Sequence, residues 1–147
     1  MLMLSKKVEY GLIAMLHMAS LREETLVTAK EISETYNIPT ELMGKVLQAL
    51  AKAGLAEAVH GSKGGYYLSR TLSTVQLGDV IEAVEGPVHL ARCQEDPSSC
   101  GQFSTCTIKE PIQQINEQLQ SFLFSISLST LAKPSPDRGT LVEIQRG

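Results

Sequence analysis

The chain has 147 residues, 43% of them hydrophobic and 20% charged, with a formal net charge of −3. This length suits one ordinary domain or a small domain with an appendage, and the apolar share is typical of a globular protein. Residues 1–75 carry eight Lys and Arg against seven Asp and Glu, whereas residues 76–147 carry five against nine. The chain is therefore not polybasic, which excludes strong sequence-blind binding to nucleic acid.

The sequence predicts neither a membrane span nor a secretory signal. No apolar run approaches the roughly 20 residues of a membrane-spanning helix. The opening MLML is too short for the core of a signal peptide, and Ser5, Lys6 and Lys7 interrupt it at once. We therefore expect a cytoplasmic protein, in which clustered thiols indicate metal binding or redox chemistry rather than a disulfide framework.

Two helices are predicted before residue 39. The first runs from about residue 5 to residue 21. Its apolar face is predicted to comprise Val8, Leu12, Ile13, Met15, Leu16 and Ala19. The second begins at a capping box, Thr28 followed three residues later by Glu31. It ends before Pro39, because the residue before a proline avoids the helical conformation.

A third helix is predicted from about residue 40 to residue 53, where Gly54 is a natural stop. The residues predicted to be buried are Leu42, Met43, Val46, Leu47 and Leu50. The polar side of the same helix carries Glu41, Gly44, Lys45, Gln48 and Lys52. The candidates for contact with DNA are Thr40, Glu41, Gly44, Lys45 and Gln48. A helix with one buried face and one continuous polar face can present the polar face to a partner.

Two short strands, at about residues 55–59 and 66–68, flank the glycine-rich tip HGSKGG. Helix, short helix, turn, helix and β-hairpin in this order is a winged helix-turn-helix, whose second paired helix enters the major groove of DNA. At the wing tip Ser62, Lys63 and Gly64 are candidate phosphate contacts. The open alternative is that the polar helix face is merely solvated and the tip merely a flexible turn.

A short amphipathic helix is predicted at residues 77–85, and a longer one follows the cysteines. In the longer helix an apolar seam of period 3.5 comprises Ile108, Ile112, Ile115, Leu119, Phe122 and Ile126. Such a seam is typical of a helix that packs along another long helix, so residues 108–132 are predicted to form a dimer with a second copy. Packing only on its own domain is the alternative. Residues 133–147 are predicted to be a flexible tail.

All three cysteines lie in one polar segment, CQEDPSSCGQFSTC, as Cys93, Cys100 and Cys106. Thiolates suit iron–sulfur clusters, zinc or copper(I), but structural zinc sites prefer about two to four residues between paired ligands. Gaps of six and five residues favour a cluster over one small ion. A fourth ligand would come from elsewhere, for example from a second subunit. Free thiols that oxidise reversibly and inert small side chains stay open as alternatives.

With these segments in this order, the sequence resembles the Rrf2 family of winged-helix regulators, typified by IscR, NsrR, RirA and CymR. The resemblance covers about residues 1–132. It is carried by LSKKVEYGLIAMLHMA, EISETYNIP, LMGKVLQALAKAGL, the GSKGGYYL wing, LGDVIEAVEG and the cysteine segment. It implies a dimeric transcription factor that binds operator DNA and, in many members, holds a 2Fe–2S or 4Fe–4S cluster.

By position, the resemblance implies that the cluster ligands are Cys93, Cys100 and Cys106. IscR-like members place a histidine three residues after the last cysteine, where this chain has Lys109. NsrR-like members use an acid near the start of the first helix, so we expect Glu9 of the partner subunit as fourth ligand, with His17 and His60 in reserve. IscR-like members whose class of DNA site depends on the state of their cluster carry a glutamate where this chain has Gly44. The resemblance therefore does not predict the operator sequence of this chain.

The sequence thus predicts a mainly α protein with a small β-hairpin wing. Residues 1–75 form a winged helix-turn-helix domain, residues 76–107 a short helix and cluster-binding loop, and residues 108–132 the dimerisation helix. We expect a homodimer whose affinity for double-stranded DNA follows an iron–sulfur cluster that senses iron, cluster supply, nitric oxide or redox state. A cluster-free thiol switch and an iron–sulfur or zinc protein scaffold are the rivals. We expect no enzyme, because the sequence has no nucleophile–base pair, phosphate loop or paired acids.

Overall fold

A computed structural model of the chain describes residues 2–132. Its helices and strands are, in chain order, α1 (Lys6–Ser20), α2 (Ala29–Tyr36), α3 (Thr40–Lys52), β1 (Ala56–Val59), β2 (Gly65–Leu68), α4 (Leu77–Glu85), α5 (Arg92–Glu95), α6 (Lys109–Ser125) and α7 (Ser129–Ala132). The mainly helical fold with a two-stranded antiparallel hairpin confirms the predicted fold class. No helix among these is both long and apolar enough to cross a membrane. The predicted tail at 133–147 lies outside the described residues.

Local signals in the sequence set the ends of the first three helices. The Ser5 hydroxyl caps α1, and Thr28 and Glu31 form the reciprocal capping box that the sequence predicted for α2. The chain leaves α2 through Asn37, at φ 55°, and leaves α3 through Gly54, at φ 78°. Asparagine and glycine tolerate this left-handed conformation better than other residues. The helix α2 ends three residues before Pro39, and α3 ends within a residue of its predicted end.

The core lies where α1, α2, α3 and α4 meet. Its fully buried members include Met15, Ile32, Met43, Leu47, Leu50 and Val80. On the predicted apolar face of α1, Val8 and Met15 are buried and Leu12, Ile13 and Leu16 pack, partly buried, against the core, whereas Ala19 is exposed. A Cβ on Gly11 would lie 3.2 Å from Val80 and 3.3 Å from Val84. The close approach of α4 at Gly11 therefore turns the buried face of α1 towards Ala14 and Met18.

The wing is a hairpin with an additional partner that the sequence did not reveal. Val59 of β1 stands opposite Gly65 of β2. On its other edge β2 bridges to Val27, with backbone N–O distances of 2.9 and 2.8 Å to Tyr66. At the tip a Cβ on Gly64 would lie 2.0 Å from the Val59 carbonyl oxygen. Glycine at position 64 is thus required by the hairpin itself, whatever the tip contacts.

The helix α6 ends at Ser125, short of the residue 132 that the hydrophobic pattern predicted. Beyond it the chain turns back onto the segment before α4: Leu77 N donates to Ile126 O at 2.8 Å, and Leu128 N donates to Val75 O at 2.9 Å. Leu128 is fully buried. Burying a leucine contributes about 1.5–3 kcal/mol, more than one further helical turn offers at an exposed end, so tertiary packing stops the helix.

Candidate DNA-reading face and cysteine segment

One side of α3 is polar and open to solvent while its opposite side is completely buried. The outward residues are Thr40, Glu41, Gly44, Lys45 and Gln48, and the buried ones are Met43, Val46, Leu47 and Leu50. No atom lies within 4 Å of the place a Cβ on Gly44 would occupy, so the face has an open notch at its centre. Lys45 Nζ lies 3.6 Å from a Glu41 carboxylate oxygen, and both side chains are well exposed. Such a surface pair is weak and can exchange its partner for a ligand.

The wing tip presents Ser62 and Lys63, both exposed, close to the end of β1. The turn is closed by a hydrogen bond from Gly64 N to Gly61 O at 3.1 Å, with Gly61 at φ 114°. A narrow tip of this kind can bring a lysine and backbone N–H groups to a phosphate. DNA contact by these residues stays a prediction.

The three cysteines are free thiols, each half-buried, at Cys93 in α5, Cys100 after the 3₁₀ turn Pro97–Ser99, and Cys106 just before α6. Within residues 2–132, no three His, Cys, Asp or Glu side chains are placed to hold one metal ion. Whether the three thiols hold an iron–sulfur cluster stays a prediction. The donor set itself, three soft thiols, fits an iron–sulfur cluster.

The cysteine segment is tied down mainly by hydrogen bonds to itself. Cys100 N donates to Pro97 O at 3.4 Å, and Phe103 N donates to Cys100 O at 3.3 Å. From residue 86 to residue 107 no side chain is buried. Because rearranging this segment breaks few tertiary contacts, the three thiols can converge at small cost.

Lys109 stands where IscR-like proteins carry a histidine, and it has a local role here. Its Nζ donates to the Phe103 carbonyl oxygen at 3.3 Å and lies 4.3 Å from the centre of the Phe103 ring. This cation–π contact and hydrogen bond close the chain around Cys106. An ammonium engaged in this way is not a metal ligand.

Cys93 lines a cavity of about 340 Å³ beside α6. Its other polar lining residues are His89, Gln94, Lys109, Gln113, Asn116, Glu117 and Gln120. His89 was not predicted as a site residue, although it precedes Cys93 by four residues. That spacing was the available signal, but it lies outside the cysteine segment itself.

Glu9, His17 and His60 are not among the residues that line the Cys93 cavity of their own chain. A Glu9 oxygen lies 2.9 Å from Lys6 Nζ, and this hydrogen bond and the carboxylate charge raise the pKa of Lys6. His17 Nδ1 lies 2.9 Å from the Tyr36 hydroxyl, between α1 and α2. If Glu9 is a ligand, it therefore has to come from a second subunit and give up Lys6.

The helix α6 leaves one apolar row uncovered. Ile108, Ile115 and Phe122 recur every seven residues and are 59%, 51% and 50% exposed. The other row of the predicted seam, Ile112, Leu119 and Ile126, is half-buried. On its inner side α6 packs so closely on α4 that a Cβ on Gly78 would lie 2.6 Å from the Phe124 ring. An uncovered row at heptad spacing is the surface that a second helix can cover.

The chain is similar to one known protein family and to several solved structures. The model of one protein family, "Rrf2: Iron-dependent Transcriptional regulator", matches residues 4–134. CymR, the global cysteine regulator of B. subtilis, is similar at 29% identity over 90% of this chain and 97% of that one, with a TM-score of 0.67. IscR of T. potens is similar at 27% identity over 88% and 85%, with a TM-score of 0.65. The oxidized form of Staphylococcus aureus CymR is similar at 25% identity over 91% and 98%, also with a TM-score of 0.65.

Proposed function

This chain belongs to the Rrf2 family of transcriptional regulators, and we propose that it is a homodimer whose cysteine segment adjusts its affinity for a DNA operator. As a family member it is a winged-helix transcription regulator and not an enzyme. One observation supports the DNA-binding part most directly. The polar face of α3 is exposed beside the wing, while the opposite face is locked into the core.

Sequence is read, in this proposal, by the outward side chains of α3. Gln48 can pair bidentately with adenine, and Lys45 can donate to guanine in the major groove. The wing contributes Lys63 to the phosphate backbone, where it adds affinity without sequence discrimination. Gly44 leaves the centre of the face without a side chain, so a base opposite the notch is read by shape and not by hydrogen bonds.

A second copy completes the reader by covering the exposed row of α6. Two paired α3 helices then meet two half-sites about 34 Å apart, one turn of B-DNA. The uncovered residues Ile108, Ile115 and Phe122 support this part of the proposal. A shift of α6 against its partner would change the distance between the two α3 helices, and with it the operator affinity.

The effector is proposed to be an iron–sulfur cluster held by Cys93, Cys100 and Cys106, with Glu9 of the partner subunit as the fourth donor. A cluster supplies a centre that gains or loses electrons and reacts with oxygen or nitric oxide. For this chain, holding it means that the loosely tied segment 93–106 closes until its three thiols converge. A conformational coupling of this kind is typically worth about 1–3 kcal/mol in affinity.

A thiol switch without metal is the second candidate. It is favoured by three free, half-buried thiols and by the likeness to a CymR structure in an oxidized form. Here two of the thiols would form a disulfide, giving up two protons and two electrons to a peroxide-type oxidant. The same segment would rearrange, with the same consequence for α6.

DNA reading is tested by fluorescence anisotropy with the promoter fragment of the protein's own gene, at several salt concentrations. Lys45→Ala should weaken specific binding by about 1–3 kcal/mol if Lys45 contacts a base, or lower the salt slope by about 1 if it contacts a phosphate. Lys52→Ala is the matched control, the same charge at the far end of α3. Equal losses from both variants would mean non-specific attraction and would contradict the proposed reading face.

The two candidate mechanisms, an iron–sulfur cluster and a thiol switch, are distinguished by experiments on protein purified without oxygen. A cluster predicts iron and sulfide in the sample with visible absorption; a thiol switch predicts colourless protein that loses about 2 Da per disulfide on oxidation. Glu9→Ala should lower iron retention, whereas Glu110→Ala, which removes a first-turn acid from α6, should not. If both variants keep iron like the wild type, Glu9 is not a ligand.

A further inference from the structure

Asn116 is an exception in α6, a buried amide in a helix whose other polar side chains are exposed or only partly buried. It is 5% exposed, and among the described residues the other buried polar side chain is Ser33 of α2. Asparagine is a poor helix former, because its amide competes with the backbone for hydrogen bonds. Neither helix formation nor hydrophobic burial therefore accounts for an asparagine at this position.

The hydrogen bonds of Asn116 account for it. Its Oδ1 accepts from Leu90 N at 2.9 Å, and its Nδ2 donates to Val88 O at 3.1 Å. Both partners lie between α4 and the cysteine segment, in a stretch without a backbone partner of its own. One carboxamide thus holds a donor and an acceptor of that stretch, as a neighbouring strand would.

Two glutamines complete this amide clamp, which we define as Asn116, Gln120 and Gln94. Gln120 Nε2 donates to Val88 O at 3.0 Å. Gln94 Oε1 accepts from Leu90 N at 2.8 Å and from Ala91 N at 3.0 Å. Leu90 N is therefore shared between Asn116 on α6 and Gln94, the neighbour of Cys93. A movement of Cys93 that carries Gln94 with it changes how the Leu90 N–H is shared between these two acceptors.

From Asn116 the structure continues to the DNA-reading face through close contacts. Phe124 of α6 lies directly on the backbone of Gly78 in α4, and Leu77 N is tied to Ile126 O at 2.8 Å. The helix α4 in turn packs against α3. Hydrogen bonds have a preferred direction and distance, whereas apolar contacts permit sliding, so the clamp is where movement of the cysteine segment is passed on most directly.

We propose that Asn116 is the positioning residue that couples the cysteine segment to α6 and, through α4, to the DNA-reading helix. This inference rests on the proposed operator binding but not on the identity of the effector, since cluster binding and a disulfide that includes Cys93 both move Cys93. Coupling is reciprocal: if movement of Cys93 changes operator affinity, operator binding must change the environment of Cys93.

The test uses reduced, metal-free full-length protein and measures the iodoacetamide alkylation rate of each cysteine by mass spectrometry, with and without operator DNA. In the wild type the operator should change the Cys93 rate by about fivefold or more. In Asn116→Ala that change should be much smaller, because Gln120 is then the member of the clamp on α6 that still holds the stretch before Cys93. Gln114→Ala removes an exposed carboxamide from the same helix and should behave like the wild type.

The variant is expected to fold, because Leu90 N keeps Gln94 and Val88 O keeps Gln120 as partners. Circular dichroism and thermal unfolding check this before alkylation. If Asn116→Ala transmits the operator's effect to Cys93 as fully as the wild type, or if the wild type binds operator with no change at Cys93, the inference is overturned while the proposed function stands. If the wild type binds no operator, the proposed function fails first and the coupling with it.

Discussion

In the reading unit, residues 6–68, each long helix buries a full face, and Met43, Leu47 and Leu50 are completely shielded from solvent. In the stretch from residue 86 to residue 107, which contains the cysteine segment, no side chain is buried. The reading unit owes its stability to apolar contacts between residues far apart in sequence, and the segment keeps its shape mainly through turns closed over three or four residues. The two regions share one chain but differ sharply in the free energy needed to rearrange them.

The contrast suits a regulator. A DNA-reading face has to keep its side chains in register with the bases, so it needs a rigid support. An element that responds to a signal must have two arrangements of similar free energy, and such elements come from the least stable parts of a fold. The amide clamp of Asn116, Gln120 and Gln94 lies at the border between the two regions, where the soft segment meets α6.

The strongest test of the contrast is a truncation in each region. Leu50→Ala should lower the free energy of unfolding by about 2–5 kcal/mol, because it leaves a cavity in a core that cannot collapse. Phe103→Ala removes a larger side chain but a half-buried one, from the cysteine segment, and should cost much less. Urea denaturation followed by circular dichroism measures both, and equal losses would mean that the segment is as firmly packed as the core.

Two glycine substitutions test the packing between α4 and α6. Gly78→Ala should destabilise the protein by about 1–3 kcal/mol, because the added Cβ would lie 2.6 Å from Phe124 and force α4 and α6 apart. Gly44→Ala adds the same methyl group to α3 where no atom lies within 4 Å. It should stabilise the helix by about 0.5–1 kcal/mol. No loss of stability from Gly78→Ala would contradict the packing described for α6, and a loss from Gly44→Ala would contradict the open space described beside α3.

Two capping residues distinguish the regions with a smaller effect. Thr28→Ala removes half of the α2 capping box and should cost about 1 kcal/mol of global stability. Asp96 caps the 3₁₀ turn at Pro97, accepting from Ser98 N at 3.0 Å. Asp96→Ala should leave the global unfolding midpoint almost unchanged, because that turn opens locally before the core unfolds. Hydrogen exchange of the Ser98 amide should nevertheless become faster.

The smallest effect on stability is expected from the cysteines. Replacing Cys93, Cys100 and Cys106 together by serine in metal-free, reduced protein should change the free energy of unfolding by no more than about 0.5 kcal/mol. Any response of operator binding to iron or oxidant should disappear in the same variant. A large loss of stability would mean that the thiols are structural, which would remove the reason to place a sensor there.

Local patterns in the sequence predicted much of this fold. The helix α4 occupies Leu77–Glu85, as the spacing of its apolar residues indicated. The Thr28–Glu31 pair forms the predicted capping box of α2. Such features depend on residues a few positions apart, so the sequence carries them directly. The reading face on α3 was visible for the same reason, since one helical period separates its buried and exposed residues.

The features that were missed depend on contacts between distant parts of the chain. The helix α6 stops at Ser125 because Leu128 is buried beneath the segment before α4. The seam was predicted as one surface, yet only its Ile108–Ile115–Phe122 row is left uncovered, because α4 takes the other side. Asn116 looked like one more polar residue, since nothing nearby in sequence shows that Val88 and Leu90 need a partner.

The sequence by itself determined the order of the elements, the winged helix and the grouping of three thiols in a polar segment, because periodicity, capping and spacing are local properties. The tertiary structure alone decided which residues of α1 are fully buried, where α6 ends, and that an amide of α6 holds the stretch before Cys93. Those outcomes follow from close packing and from the need of buried polar groups for partners, and both conditions are set only when distant segments meet.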